Sequence, residues 1–417
     1  MSQQNPAGIL AAYQQHASPH VREQLLDWVV QSANGATLLG DDGRTVIDLA
    51  SGGFGFGHPK VKAAVAEKVR TGPLSSRILI NRGLAELVVK LAEIAPGDLS
   101  VSYVCNSGEE AVDSALKLAK GHWPHRHKVV TALGADHGSL SHGVYFAGMG
   151  ERYLSGLTFT PARVPFGDTK AICQAIDDNT AAVLLEPLSL DQGELVATQA
   201  YWRAVRERCD ATGALLIVNE VRTGLGRSGS VFAIEASGIC PDVLVVGGAL
   251  SGGFVSVGAY VTTQAINNKV YDRRNPSLHG STTGANPASC AAALATLAEM
   301  HQQSLAERHR VLGQQAQASL EVLCHATVHK LCDVQTVGSM TALDFDGEWS
   351  ARQVRQRALE RGVLLRPPIG ARLLIYPPLM VSKEEHRQGL QILCAAIRDV
   401  RSLDKPHNVK ELSHEPT

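Results

Sequence analysis

Short apolar runs alternate with longer amphipathic stretches through the middle of the chain. The runs "VSYVC" (101–105), "HKVVTAL" (127–133), "AAVLLEP" (181–187), "ALLIVNE" (214–220), "DVLVVGG" (242–248) and "SVGAYVTT" (256–263) have the length and β-rich content of strands. Residues 110–120 and 200–212 between them carry helical spacing. Strands that alternate with helices predict a large domain built on a mostly parallel, seven-stranded type of sheet lying between helices. After about residue 295 the pattern changes to long helices, "AALATLAEMHQQSLAERHRVLGQQAQASLEVL", and then to short strands around "VGSMTALDF" and "RLLIYPPL". The expected division is an N-terminal segment, 1–50, packing with the small domain; a large α/β domain, 51–295; a small α+β domain, 296–405; and a polar tail, 406–417.

In open α/β sheets ligands collect beyond the carboxyl ends of the strands. The residues that close these runs are Asn106 to Glu109, Gly134 to Gly138, Glu186, Asn219 with Glu220, and Gly247 with Gly248. With 417 residues, 44% of them apolar and 19% charged, the chain can bury a sizeable core. Lys+Arg of 39 against Asp+Glu of 40 leaves a net charge of -1, so no overall field draws it to nucleic acid or to an anionic membrane. The expected partners are a small-molecule substrate and another subunit. The 8 cysteines include no CxxC pair and sit mostly in apolar contexts such as "QILCAAI", where the thiol acts as a small hydrophobe. They suggest a reduced, cytoplasmic protein, and no metal site is read from the sequence. The N-terminus lacks the basic flank and continuous apolar run of a signal peptide, and no stretch approaches the length of a membrane span.

Taken together, "GDDGRTVIDLASGGFGFGHPKV", "PLSSRILINRGLAELVVKLAEIAPGDL", "CNSGEEAVDSALKLAK", "DHGSLSHG", "LLEP", "GALLIVNEVRTGLGRSG", "PDVLVVGGALSGG" and "HGSTTGANPASCAAALATL" run in a recognisable order over roughly residues 35–300. In these segments the chain resembles the class III aminotransferases, fold-type I enzymes that use pyridoxal phosphate (PLP), and especially the putrescine and acetylornithine type. The resemblance implies a fold-type I aminotransferase-like fold. It also implies a role at each cofactor position, and at four of them this chain departs.

The lysine of the family's "GKAL" stretch forms the Schiff base with the cofactor and moves the substrate's proton; here Gly248 stands in its place. The aspartate of "DEVQTG" keeps the pyridine nitrogen protonated; here "NEVRTG" supplies the neutral Asn219. In "NSGTEA" the phosphate rests on the first turn of a helix; the matching "NSGEEA" keeps Ser107 and Gly108 but puts a carboxylate, Glu109, where the threonine hydroxyl would be. The aromatic residue before "HG" that stacks on the ring is Asp136, although Val221, which covers the other face, is retained. The family's "EPVQGEGG" is "EPLSLDQG" here, and the arginine that often holds a substrate carboxylate before "PPL" corresponds to Leu374, with Arg372 nearby. Thr282 matches the residue that reaches the neighbouring subunit's phosphate.

Taken singly, Glu109 reads as a carboxylate suited to a helix dipole, Asp136 as a turn-capping aspartate, His137 as a structural histidine and Gly248 as a close-packing glycine. Their convergence on one cleft changes that reading, because carboxylates crowded near a histidine have shifted pKa values. The expectation is a scaffold that has given up pyridoxal phosphate and uses the emptied cleft for acid/base chemistry. Glu109, Asp136 and His137 are the candidate proton-transfer groups, Asn219 is a hydrogen-bond donor, and Glu186 and Glu220 line the cleft. No cofactor is expected, with PLP or pyridoxamine phosphate (PMP) held without a covalent link as the disfavoured alternative. The expected assembly is a homodimer, with a heterodimer containing a lysine-bearing paralogue, in which this chain is non-catalytic, as the other possibility.

Overall fold

The structure, a computed structural model, describes residues 6–18, 26, 28–72, 80–149, 151–272, 278–324 and 330–400. The polar tail at 406–417 lies outside the described residues, as does the "PLSSRIL" part (73–79) of one motif.

Three short strands, β1 (Val30–Asn34), β2 (Thr37–Gly40) and β3 (Thr45–Asp48), form an antiparallel meander ahead of the large sheet. The large sheet contains β4 (Val101–Cys105), β5 (Lys128–Ala132), β6 (Thr160–Val164), β7 (Thr180–Leu185), β8 (Leu215–Asn219), β9 (Val243–Val246) and β10 (Gly258–Thr262). Its order is β4-β10-β9-β8-β7-β5-β6. Every residue of β7, β8, β9 and β10 is buried, which explains why these segments read as continuous apolar runs rather than alternating ones.

Two features of this sheet differ from the sequence pattern. β10 runs antiparallel to both its neighbours, so the sheet is mixed. β6, from "TPARV", is a strand that the apolar pattern hides, because Pro161 and Arg163 interrupt it. It lies at the sheet edge and pairs only with β5, a position where proline does not break a ladder on both sides.

The long apolar stretch after residue 295 resolves into two helices, Pro287–Gln302 and Leu305–Cys324, separated where Ser304 takes the left-handed conformation (φ 47°). The C-terminal part adds β11 (Leu331–Val337), β12 (Met340–Phe345), β13 (Val363–Leu364) and β14 (Arg372–Ile375), of which β11, β12 and β14 form one sheet. β13 pairs in parallel with β3, placing Val363 opposite Ile47. Ile47 and Leu49 accordingly sit in the same apolar core as Leu320, Leu343, Leu373 and Leu393.

Because the strands other than β10 are mutually parallel, Asn106, Glu186, Asn219 and Gly247 all emerge at one edge of the large sheet. The loop before β14, β14 itself and the residue after it supply Arg366, Leu374 and Tyr376, which pack beside that edge. Among the described residues no helix is long and apolar enough to cross a membrane. All 8 cysteines are free thiols.

Candidate functional site

The cleft is built on three turns. The first follows β4, where Ser107 caps the helix Gly108–His122 by accepting the Glu110 N–H at 3.1 Å. Glu110 turns back and accepts the Asn106 N–H at 3.0 Å. Among the described residues the N–H groups of Gly108 and Glu109 have no internal acceptor, so the helix presents its positive end to the cleft. Gly108 is required by closeness, since a Cβ there would lie 2.6 Å from a Val221 methyl. Glu109 is half-buried, its aliphatic stem lies against Gly138, and its carboxylate has no hydrogen-bond partner among the described residues.

The second turn, after β5, carries Asp136 and His137. The Asp136 N–H donates to Glu186 Oε2 at 2.9 Å, and Asp136 Oδ1 accepts the Gly138 N–H at 2.9 Å. Its Oδ2 lies 3.7 Å from Arg222 Nη1 and is otherwise open to the cleft. Burial favours the neutral acid, but the charge of Arg222, the Gly138 N–H and the charge of Arg366 outweigh it and hold the Asp136 carboxyl below its ordinary range.

His137 points the other way, into the sheet. It is 2% exposed, its Nε2 lies 2.8 Å from Thr131 Oγ1, and its Nδ1 lies 3.2 Å from Asn219 Nδ2. Asn219 Oδ1 accepts the Val221 N–H at 3.1 Å, which leaves its amide nitrogen to donate to His137 Nδ1 and to the Asp136 carbonyl. This fixes the tautomer: Nδ1 accepts, and Nε2–H donates to Thr131. Burial pushes the His137 pKa down to about 4. Stability should therefore be fully present above the ordinary histidine value of 6.5 and fall as pH drops from 6.5 through 4, because the unfolded state takes up the proton first. His137 alone contributes up to about 3 kcal/mol of that loss. Denaturant midpoints measured against pH should decline less steeply in His137→Gln than in the parent chain.

The third turn follows β8 and meets the glycines that close β9. Asn219, Glu220, Val221 and Arg222 follow one another, and Gly247 and Gly248 pack against Val221. Glu220 is buried and faces away from the cleft: it accepts the Ile234 N–H at 2.8 Å and the Thr223 hydroxyl, and burial raises its pKa to about 7. Gly248 opens a short 3-10 turn, Gly248–Ser251, with φ 52°, in the left-handed region. A Cβ at this position would stand 2.8 Å from the Val221 carbonyl oxygen. A side chain here is therefore opposed by both backbone conformation and space. None of the residues on the strand-end turns is a lysine. The chain's lysines lie elsewhere, for example Lys60 on Glu299, Lys117 on Asp113 and Lys128 on Asp177.

Sequence reasoning passed over the strongest electrostatic feature. Arg222, the arginine of "NEVRTG", grips Glu186 through Nε and Nη2 at 2.7 and 2.8 Å, meets Asp191 at 2.8 Å, and faces Asp136. Burial disfavours its charge, and the three carboxylates more than restore it, so its pKa lies far above that of a free arginine. The signal was available, since Glu186 and Asp191 close the neighbouring strand in "EPLSLDQG". Arg372 is committed to Asp344 at 2.5 and 2.7 Å and to the Gly193 carbonyl at 2.6 Å, while Leu374 is 6% exposed on β14. Thr282 is exposed, on a loop whose flanking Ser281 and Thr283 are hydrogen-bonded to the Asn106 side chain at 2.7 and 3.2 Å.

This arrangement of one mixed sheet with a helix N-terminus at its carboxyl edge is shared with known proteins. The family described as aminotransferase class-III matches residues 17–397. The chain belongs to the class III aminotransferases. A putrescine aminotransferase from Pectobacterium atrosepticum is 34% identical over 379 residues, covering 86% of this chain and 80% of that protein. An ornithine aminotransferase from Toxoplasma gondii superposes with a TM-score of 0.86 at 25% identity, covering 95% of this chain and 96% of that one. An acetylornithine aminotransferase from Elizabethkingia anophelis gives 0.81 at 25% identity, covering 95% and 100%. The fold is thus the fold-type I aminotransferase fold with its C-terminal domain. Within this class III frame, Glu109, Asp136 and Val221 stand on the strand-end turns, and His137, Asn219, Glu186 and Arg222 are the groups wired to them.

Proposed function

We propose that this class III homologue has given up transamination with pyridoxal phosphate and works without the cofactor, using the former cofactor cleft for acid/base chemistry on a small amine-bearing or acyl substrate. The relatives above are named for transamination, and this chain differs from the family's pattern at the positions that serve it. The observation that carries the reading is the turn at Gly248, where the left-handed φ and the 2.8 Å approach of the Val221 carbonyl leave no place for a lysine stem. Three further features point the same way. The Asn219 amide is spent on Val221, Asp136 and His137, so it neither faces a ring nitrogen nor carries the charge that would keep one protonated. A phosphate on the Gly108 and Glu109 amides would have the Glu109 carboxylate beside it. Asp136 offers a charge where a ring would need a flat apolar lid. These residues do not fit pyridoxal phosphate.

The groups that remain suit proton transfer. Asp136 is held ionised and turns one oxygen to the cleft, so it serves as base or as counter-ion to a substrate ammonium. Glu109 is the second carboxyl on the same wall. His137 and Asn219, both buried and fully engaged, hold the Asp136 turn in place. Condensation, cyclisation, elimination and acyl transfer all use such a pair. Turnover should survive hydroxylamine, which strips and traps pyridoxal phosphate, and should fall by about 10²-fold or more in Asp136→Asn and in Glu109→Gln. Inactivation by hydroxylamine, with both variants fully active, would sink the proposal.

The exposed Thr282 fits a homodimer in which this loop meets the neighbouring subunit. Light scattering of the purified chain at twice its monomer mass is the expected result.

A further inference from the structure

Helix Leu305–Cys324 ends on a cysteine, and 8 residues further along the chain Cys332 stands at the start of β11. The Cys324 thiol donates to the Cys332 carbonyl at 3.0 Å. That carbonyl is open to it because Cys332 is the extra residue of a β-bulge. Leu331 opposes Phe345 and Asp333 opposes Asp344, which leaves Cys332 with no residue opposite. β11 is also an edge strand, paired only with β12. Cys332 is the one exposed cysteine of the chain, and Cys324 is half-buried, whereas Cys105, Cys209, Cys290 and Cys394 are buried.

A thiol sulfur 3.0 Å from another cysteine's carbonyl oxygen confines the two Cα atoms to within about 8 Å. A disulfide spans about 4.4–6.8 Å between them, and a bulge residue on a free strand edge has the freedom to close the remainder. Carboxylates surround the pair. Partial burial, Asp346, Asp344 and Asp333 raise the pKa of Cys332, and partial burial, Asp333, the Cys332 thiol and Glu321 raise that of Cys324. This negative field keeps both groups as thiols near neutrality and favours a cationic oxidant over an anionic one.

We infer that Cys324 and Cys332 are a reversible disulfide site, closed by a low-molecular-weight disulfide, that clamps the end of the helix to the start of β11. The Cys332 thiolate attacks the oxidant's S–S bond and expels one thiolate. The Cys324 thiolate then attacks the mixed disulfide at the Cys332 sulfur and expels the second. The two cysteines lose two protons and two electrons, and the oxidant is reduced to two thiols. The clamp reaches the strand-end turns through β11, where Gln335 Oε1 accepts the Leu195 N–H at 2.7 Å, on the loop whose Asp191 pairs with Arg222 at 2.8 Å. It does not depend on whether the cleft holds pyridoxal phosphate.

The test treats the native 417-residue chain with cystamine, a cationic disulfide, and maps its tryptic peptides. Cleavage after Lys330 separates the two cysteines, so a bridge appears as linked peptides. One link between Cys324 and Cys332 per chain is expected, with no cysteamine retained at either residue, and dithiothreitol should reverse it. Its rate should rise about tenfold from pH 7 to pH 8, as the thiolate fraction does. Cys324→Ser should stop at a cysteamine adduct on Cys332. The bridged form should unfold at a higher urea concentration than the reduced form, and its Leu195 amide should exchange with deuterium more slowly. A persistent adduct on Cys332 in the parent chain, links to other cysteines in equal yield, or a link that forms only in urea would overturn the site. A bridge that leaves the urea midpoint unchanged or lower, or leaves Leu195 exchange unchanged, would overturn the clamp.

Discussion

Replacing Arg222 by alanine is expected to destabilise the protein by about 3–5 kcal/mol, because it leaves buried carboxylates without their counter-charge. The side chain is 10% exposed, it makes a bidentate pair with Glu186, which is 4% exposed, and Asp191 and Asp136 share the same guanidinium. Burying a carboxylate is tolerable only while that charge is present, so the loss exceeds that of an exposed ion pair, which is about 0–1 kcal/mol. Urea denaturation measures it. Arg222→Gln should be nearly as damaging, since a neutral amide cannot offset the charges of Glu186 and Asp191. A change below about 1 kcal/mol in either variant would show that the carboxylates are protonated or hydrated instead. The Asp136 pKa should rise in both variants, because Arg222 is the largest of the influences that lower it.

The second large effect concerns Gly248. Gly248→Lys is expected to yield a less stable protein with no aldimine. A non-glycine residue at φ 52° costs about 1–3 kcal/mol, and its Cβ would also have to displace the Val221 carbonyl from 2.8 Å. Val221 O belongs to the turn that carries Asn219 and Arg222, so relief of the clash would disturb the network behind the cleft. Added pyridoxal phosphate should give this variant no new bound absorbance between about 330 and 430 nm. Gly248→Ala separates the two causes: it should show most of the stability loss without introducing an amine. A stable Gly248→Lys protein with a strong aldimine band would mean that the turn opens readily.

The frame of this molecule was legible from the sequence because the buried strands of the large sheet have no alternation to obscure them. "ALLIVNE" and "DVLVVGG" read as strands from their apolar content alone, and the residues that close them share one edge of the sheet. Edge strand β6 escaped notice because Pro161 and Arg163 are tolerable only where one side of the ladder is unpaired. The neighbourhood of the strand-end residues was legible in the spacing, and their wiring was less so. Sequence spacing placed Asp136 and His137 together, but it does not show that the imidazole turns into the sheet toward Thr131 while the carboxylate turns outward. That outcome depends on Asn219, whose amide nitrogen donates to His137 Nδ1 and so belongs to the histidine rather than to a ligand. Arg222 was overlooked because its meaning lies in Glu186 and Asp191, 36 and 31 residues away.

Equilibrium dialysis of the purified, untagged chain against pyridoxal phosphate and pyridoxamine phosphate, with a lysine-bearing class III aminotransferase as the positive control, bears most directly on the central claim. Cofactor-independent function, as proposed, predicts no saturable binding of either form at micromolar concentration and none retained through purification. Stoichiometric binding of one form per chain, lost on Gly108→Asp as expected for a phosphate seated on the amides of Gly108 and Glu109, would contradict it.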